Sequence, residues 1–274
     1  MIRAAVLMFA SCTLLATGSR AASDANVQFS AETVQSSPDN KLRHTLVYVG
    51  DNQVRLEYHE DNQVAVNIYD MKNGRAIVLA PEQKTYLIRQ VPRGQLDNPI
   101  TQPRGQDPCA GIKQVSCRRL ASDTLYDRPV VQWEMTWHNP GDREADKSHL
   151  WFDAERQMPL RQVWSDGSIF EMRLIGKEQL NGRSTERWES VKTGADGAST
   201  KSLQWYDPQL RLTIREELPG GYFRELRNIK VGTQADSLFT VPQGYHPARS
   251  QRGEEGQALR NWQQPAGQYP ENRR

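Results

Sequence analysis

Histidines, cysteines, tryptophans and one repeated aspartate are the residues of this 274-residue chain whose types could do chemistry. The five histidines are His44, His59, His138, His149 and His246, and none stands four residues from another as a helical zinc motif requires. His44 and His59 can meet across neighbouring strands, but solvent-facing strand histidines are the expectation, and no metal site is expected. Asp153 and Asp207 close two similar strings, Trp151-Phe152-Asp153 and Trp205-Tyr206-Asp207. A glycosidase needs two carboxylates at a set separation across a cleft. An aspartate at the end of a strand more commonly accepts hydrogen bonds from the backbone of the following turn, and that role is expected here. The chain has no Gly-x-Ser-x-Gly element, no phosphate loop and no dinucleotide fingerprint. The reading is therefore of a protein that is not an enzyme and holds no cofactor.

Cys109 and Cys117 are the two cysteines beyond the first 21 residues. In an oxidising compartment such a pair reads as a structural disulfide closing a small loop. A redox or metal pair is the alternative, and it needs closer spacing or further Cys and His ligands.

The tryptophans lie in a duplicated stretch. Leu125, Arg128, Trp133 and Glu134 recur as Leu180, Arg183, Trp188 and Glu189, 55 positions on. At a shift of 54, the Trp151 string meets the Trp205 string, and Leu160, Arg161, Gly167, Glu171, Arg173 and Ile175 meet Ile214, Arg215, Gly221, Glu225, Arg227 and Ile229. Self-similarity at one period means a supersecondary unit used twice. Trp133, Met135, Trp137, Trp151, Trp188 and Trp205 are the candidate ligand-binding residues, on the view that an apolar sheet face left incompletely filled accepts an acyl chain. Core packing is the alternative for each of them.

The elements that position these residues read as strands. Val54, Leu56 and Tyr58 alternate with Arg55, Glu57 and His59, and Val131, Trp133, Met135 and Trp137 alternate with Gln132, Glu134 and Thr136. This period of two implies antiparallel strands with one apolar and one wetter face. Asn73-Gly74, Asp166-Gly167 and Gly220-Gly221 read as hairpin turns. A short helix is expected only near Glu254 to Trp262. The chain divides into a signal peptide (1–21), N-terminal strands (22–91), a Pro-rich connector (92–117), duplicated β units (118–245, in halves of about 118–175 and 176–245) and a polar tail (246–274) too poor in apolar residues to order itself.

Met1-Ile2-Arg3, the apolar run Ala4 to Ala16 and Ser19-Arg20-Ala21 together read as a cleavable export signal, which places the protein in the periplasm. Lipid anchoring through Cys12 is the weaker alternative. Cleavage removes Arg3 and Arg20 and leaves 33 basic against 33 acidic residues, so no nucleic-acid partner is expected.

The strings Val54-Arg55-Leu56-Glu57-Tyr58 and Ile68-Tyr69-Asp70, the Trp-aromatic-Asp strands, Pro159-Leu160-Arg161 and the ending Asp236-Ser237-Leu238-Phe239-Thr240-Val241-Pro242 resemble the LolA/LolB-like superfamily of periplasmic lipoprotein carriers and lipoprotein-sorting proteins. The resemblance spans most of Val27 to Tyr245. It implies an all-β fold: a strongly curved, half-open antiparallel sheet, an incomplete barrel, with few helices. It implies a carrier that holds a lipid, acyl chain or lipoprotein on its concave apolar face. The carriers lay helices across the open side, and no such helix is legible here. The alternative is an envelope interaction protein that docks a partner, such as a membrane protein, through the Pro-rich loop or the tail.

Overall fold

A computed structural model describes residues 27–36, 41–60, 63–92, 96, 98–100, 107–109, 114–138 and 145–248. The export signal, most of the Pro-rich connector, the expected helix near Glu254 and residues 249–274 lie outside them. The described chain is all-β, built as one open sheet that does not close into a barrel. Six strands come first: β1 (Phe29–Ser36), β2 (Leu42–Val49), β3 (Gln53–Glu60), β4 (Gln63–Asp70), β5 (Arg75–Ala80) and β6 (Thr85–Gln90). After the connector come β7 (Val115–Leu125), β8 (Arg128–Trp137), β9 (Asp146–Asp153), β10 (Met158–Trp164) and β11 (Ile169–Leu180). They are followed by β12 (Arg183–Thr193), β13 (Ser199–Asp207), β14 (Leu212–Glu217), β15 (Phe223–Val231) and the two-residue β16 (His246–Pro247).

Both halves are antiparallel meanders. The first runs from β1 outward to β6. The second starts at the opposite edge with β7 and returns strand by strand to β15, which pairs with β1. The connector thus carries the chain from one edge of the sheet to the other, and the β1–β15 seam joins the two meanders. β16 lies parallel to β6 and continues the ordered chain past Tyr245, where the sequence reading places the start of the tail. Main-chain bonds His246 N–H to Lys84 O (3.0 Å) and Ala248 N–H to Tyr86 O (2.8 Å) outweigh the poor composition there.

The repeat is a four-strand unit, β8–β11 and again β12–β15. Each unit carries a bulge between its second and third strands, at Leu160 and near Ile214. In each, the third and fourth strands share only a short register, Arg161–Val163 with Ile169–Glu171 and Arg215–Glu217 with Phe223–Glu225. Bulges bend a strand and raise its twist, so they are where the sheet curves. Each unit completes its core on the element that follows in the sheet. Leu160 and Met172 of the first unit pack with Trp188 and Tyr206 of the second. The equivalent Ile214 and Leu226 pack with Phe29, Val47, Val49, Val54 and Leu56 of the N-terminal strands. This is the logic of a repeat array, in which no unit buries its apolar side alone.

The two hairpins read from Asp166-Gly167 and Gly220-Gly221 are longer than two-residue loops. Residues 165–168 separate β10 from β11, and a 3-10 turn, Pro219–Gly221, lies between β14 and β15. Main-chain bonds Trp164 N–H to Ser168 O and Leu218 N–H to Tyr222 O close them.

β7 is an edge strand with mostly exposed side chains. Its bulge between Arg119 and Ala121 and its paired charges discourage edge-to-edge pairing. Cys117 on β7 is joined to Cys109 of the connector, with their Cα atoms 5.8 Å apart. On the chain-entropy estimate, reducing this short loop should cost about 2.5 kcal/mol. Urea denaturation with and without a dithiol reductant measures it, and an unchanged midpoint would show that the tie adds nothing.

Candidate functional site

The six candidate residues do not converge on one place. Trp133, Met135 and Trp137 share one face of β8, packed with Cys109, Cys117, Leu150 and Phe152. Trp188 is fully buried, 0% exposed, in the core between the repeat units. Trp151 is half-buried beside that core, with the Arg161 guanidinium 5.4 Å from its ring centre. Trp205 is buried between Arg187 and Arg215, each 5.3 Å from its ring, and its indole N–H donates to Glu178. Arg161 over Trp151 and Arg215 over Trp205 are the same contact in the two copies. Such stacks rigidify a sheet face and contribute roughly 0.5–1 kcal/mol each.

Asp153 and Asp207 are turn residues. Asp153 Oδ1 accepts from the backbone N–H groups of Glu155 (3.0 Å) and Arg156 (3.1 Å), and Oδ2 accepts from Arg128 (2.8 Å). Asp207 does the same with Gln209 (2.9 Å) and Leu210 (3.0 Å), and Arg183 donates to it. A third copy lies at Asp70, which accepts from Asn73 N–H (3.1 Å) and from Arg75 (2.6 Å). In all three the residue before the next strand is left-handed: Gly74 (φ 63°), Gln157 (φ 57°) and Arg211 (φ 54°). The backbone repeats where the side chains have diverged.

Several buried carboxylates are held by arginines. Glu186, 3% exposed, receives two bonds from Arg156 (2.7 and 2.8 Å), which hold its carboxyl below the usual 4.5 against the pull of burial. Asp153, close by, is pushed the other way by its own burial, with the Glu186 charge adding to the push. Burial also opposes ionisation of Asp70 and Glu225. Asn73 and Arg75 in one case, and Arg227, Asn181 and Arg215 in the other, outweigh it and leave both below their usual values. Glu225 has a counterpart one unit earlier. Asn181 donates to it at 2.7 Å, as Tyr126 donates to Glu171 at 2.6 Å.

His44 and His59 do not form a pair. His44 Nδ1 lies 2.6 Å from Glu32, and His59 is exposed. Among the described residues, one group of potential metal ligands lies within 4.8 Å, Asp107 with Cys109 and Cys117, and its two sulfurs are bonded to each other.

The arrangement sets aromatic side chains along a sheet that is open at both edges, and it occupies its buried carboxylates in turns and ion pairs. No family model and no curated protein matches the chain. Among solved structures it is similar to a LolA superfamily protein from Nitrosomonas europaea, at 15% identity and a TM-score of 0.33, covering 79% of this chain and 90% of that one. It is also similar to a putative outer membrane lipoprotein-sorting protein domain from Vibrio parahaemolyticus, at 11% identity and a TM-score of 0.31, over 78% and 89% of the two chains. A DUF1329 family protein from Desulfovibrio piger aligns at 10% identity and a TM-score of 0.29, over 79% and 91%.

Proposed function

We propose that this is an exported carrier of apolar ligands, which holds a lipid or the acyl chain of a lipoprotein against the aromatic side of its open sheet. The observation that carries the reading is the row of half-buried aromatic side chains beside the apolar clusters: Tyr58 and Tyr69 on β3 and β4, Phe170 at the first repeat, Trp137 at the far end. A sheet folded only for its own stability buries such rings or leaves them singly at the surface, whereas large apolar areas left partly open mark binding faces. The sequence signals for export and the resemblance of its strand motifs to lipoprotein carriers support the same reading. The candidate ligand contacts narrow to Trp133, Met135 and Trp137; Trp151 lies on the other face, across from Gln132 and Arg161. Trp188 and Trp205 serve instead to hold the sheet in shape.

Native mass spectrometry of protein purified from its own envelope fraction, followed by titration of the delipidated protein with a fluorescent fatty acid, tests this. Copurified lipid and saturable binding are expected. A protein that carries no lipid and shows no saturable signal is not a carrier of this kind.

A further inference from the structure

One face of the first repeat unit changes character across its strands. Cross-strand pairing sets Met135, Ser148 and Trp164 in one row, from β8 to β10. The adjoining row runs from Trp133 through Leu150, Gln162 and Phe170 to Lys192 on β12. Gln162 donates to Ser148 Oγ at 2.9 Å across these rows, as side chains on one face do. Trp137, Trp164 and Phe170 are half-buried here, and Trp164 lies outside the apolar clusters of the described residues. Beyond Phe170 the same face turns polar. Thr200 follows Lys192 on β13, and Ser190 and Ser202 form the row beside them. Lys192 is exposed, and among the described residues no carboxylate forms an ion pair with it. Asp166 in the β10–β11 turn feels its charge but is bonded to the Ser168 N–H (2.8 Å) and hydroxyl (2.9 Å). Glu216, further along the face, is held by Arg224 at 3.0 Å. At the opposite end stands an exposed acid, Asp146, paired with Trp137.

We propose that this face takes a fatty acid lying across the strands, its tail over Trp137, Met135, Trp164 and Phe170 and its carboxylate at Lys192. The inference rests on the carrier reading above and deepens it by assigning the ligand's charge and its direction. The half-buried rings offer the tail apolar area that the fold itself leaves uncovered. The charges set the direction. Asp146 repels an anionic head at the β8 end, while the Lys192 ammonium attracts it at β12, where the Ser190, Ser202 and Thr200 hydroxyls are donors for its oxygens. From β8 to β12 is four strand spacings, about 19 Å along the sheet. A long acyl chain fills that span, and a short carboxylic acid does not.

The test is displacement of N-phenyl-1-naphthylamine from the full mature chain by dodecanoate, dodecanol and dodecyltrimethylammonium, which share a chain and differ in the charge of the head. Dodecanoate should compete best and the cation worst. Dodecanoate should exceed dodecanol about five-fold, the size of one partly exposed ion pair, and the gap should narrow in high salt. Lys192→Gln should close the gap and leave dodecanol unchanged, and Lys192→Glu should invert the order. Trp164→Ala should weaken all three about ten-fold, with circular dichroism checking that its strands are kept. Equal competition by the three heads, preference for the cation, an anion preference that survives Lys192→Gln, or indifference to Trp164→Ala in a folded variant overturns the proposal while the carrier reading stands. A protein that binds neither the probe nor any of the three amphiphiles overturns both.

Discussion

Replacing Arg156 by leucine should destabilise the protein by about 3–5 kcal/mol, the loss expected when one partner of a buried ion pair is removed and the other is stranded. Arg156 sits in the turn of the first repeat unit and makes two bonds to Glu186 on the first strand of the next. Glu186 is 3% exposed and lies near the equally buried Asp153. The position equivalent to Arg156 in the second unit is Leu210, which is buried among Phe29, Val47 and Ile214. The same junction is thus made once with an ion pair and once with an apolar side chain. It follows that Arg156→Leu with Glu186→Met should recover to within about 1 kcal/mol of the natural protein, because both costs of burying charge are removed together. Urea denaturation of the single and double variants measures the coupling, and equal losses in the two would sink the argument.

The pH dependence gives a second readout of the same contact. In the natural protein the folded-state pKa of Glu186 lies below its usual 4.5, so its contribution is complete above pH 4.5 and is lost as pH falls through the folded value. Without Arg156, burial is opposed only by the Lys177 charge and the Trp188 indole, and that carboxyl should rise above its usual value. The sign then reverses, and stability falls as pH rises through 4.5. The deficit of Arg156→Leu should therefore shrink between pH 6 and pH 4.

How much of this was legible beforehand depends on the range of each signal. Alternation such as Val131-Gln132-Trp133-Glu134 is local, and it yields the strands. The duplication is visible because Trp-aromatic-Asp and its flanking arginine survive in both copies. The Asp70 turn is harder to read because only the Tyr-Asp pair repeats there: Ile68 stands where the other copies have Trp, and its arginine, Arg75, follows the turn instead of preceding it by some 25 residues. Glu186 on a strand reads as solvent-facing, since nothing in its neighbourhood announces that Arg156, 30 residues earlier, will reach it. Trp188 reads as a ligand contact from sequence for the same reason. Its position matches Trp133, but the two units meet different neighbours, so one ring closes an interunit core and the other lies beside an edge strand. The sheet order itself, with β1 against β15 and the last residues beside β6, depends on pairings across nearly the whole chain, which no local pattern encodes.

The C-terminal strap shows the same long reach and should respond most sharply to Phe239→Ala. Residues 236–239 form a 3-10 turn, Asp236–Phe239, laid over β3 and β4. Phe239 is 2% exposed and packs on Val66, Ile68, Ile77 and Leu79, with Leu238, Val241 and Tyr245 around it. The Arg55 guanidinium donates to Leu238 O at 3.0 Å. Gly50 is required by close approach rather than by backbone conformation, because a Cβ there would stand 2.7 Å from the Phe239 ring. Truncating a buried Phe costs about 3–5 kcal/mol. Here the strap is held by this anchor, the Arg55 bond and the two β16 main-chain bonds, so part of that loss should appear as local release. Hydrogen exchange at His246 and Ala248 should accelerate at least ten-fold in Phe239→Ala, and the exposed Val66–Ile68–Ile77–Leu79 patch should bind a hydrophobic dye. Gly50→Ala should produce a milder version of both effects, since the ring must shift to admit the methyl group. If exchange at β16 is unchanged while global stability falls, the segment is an integral part of the sheet's core and not a strap anchored at one ring.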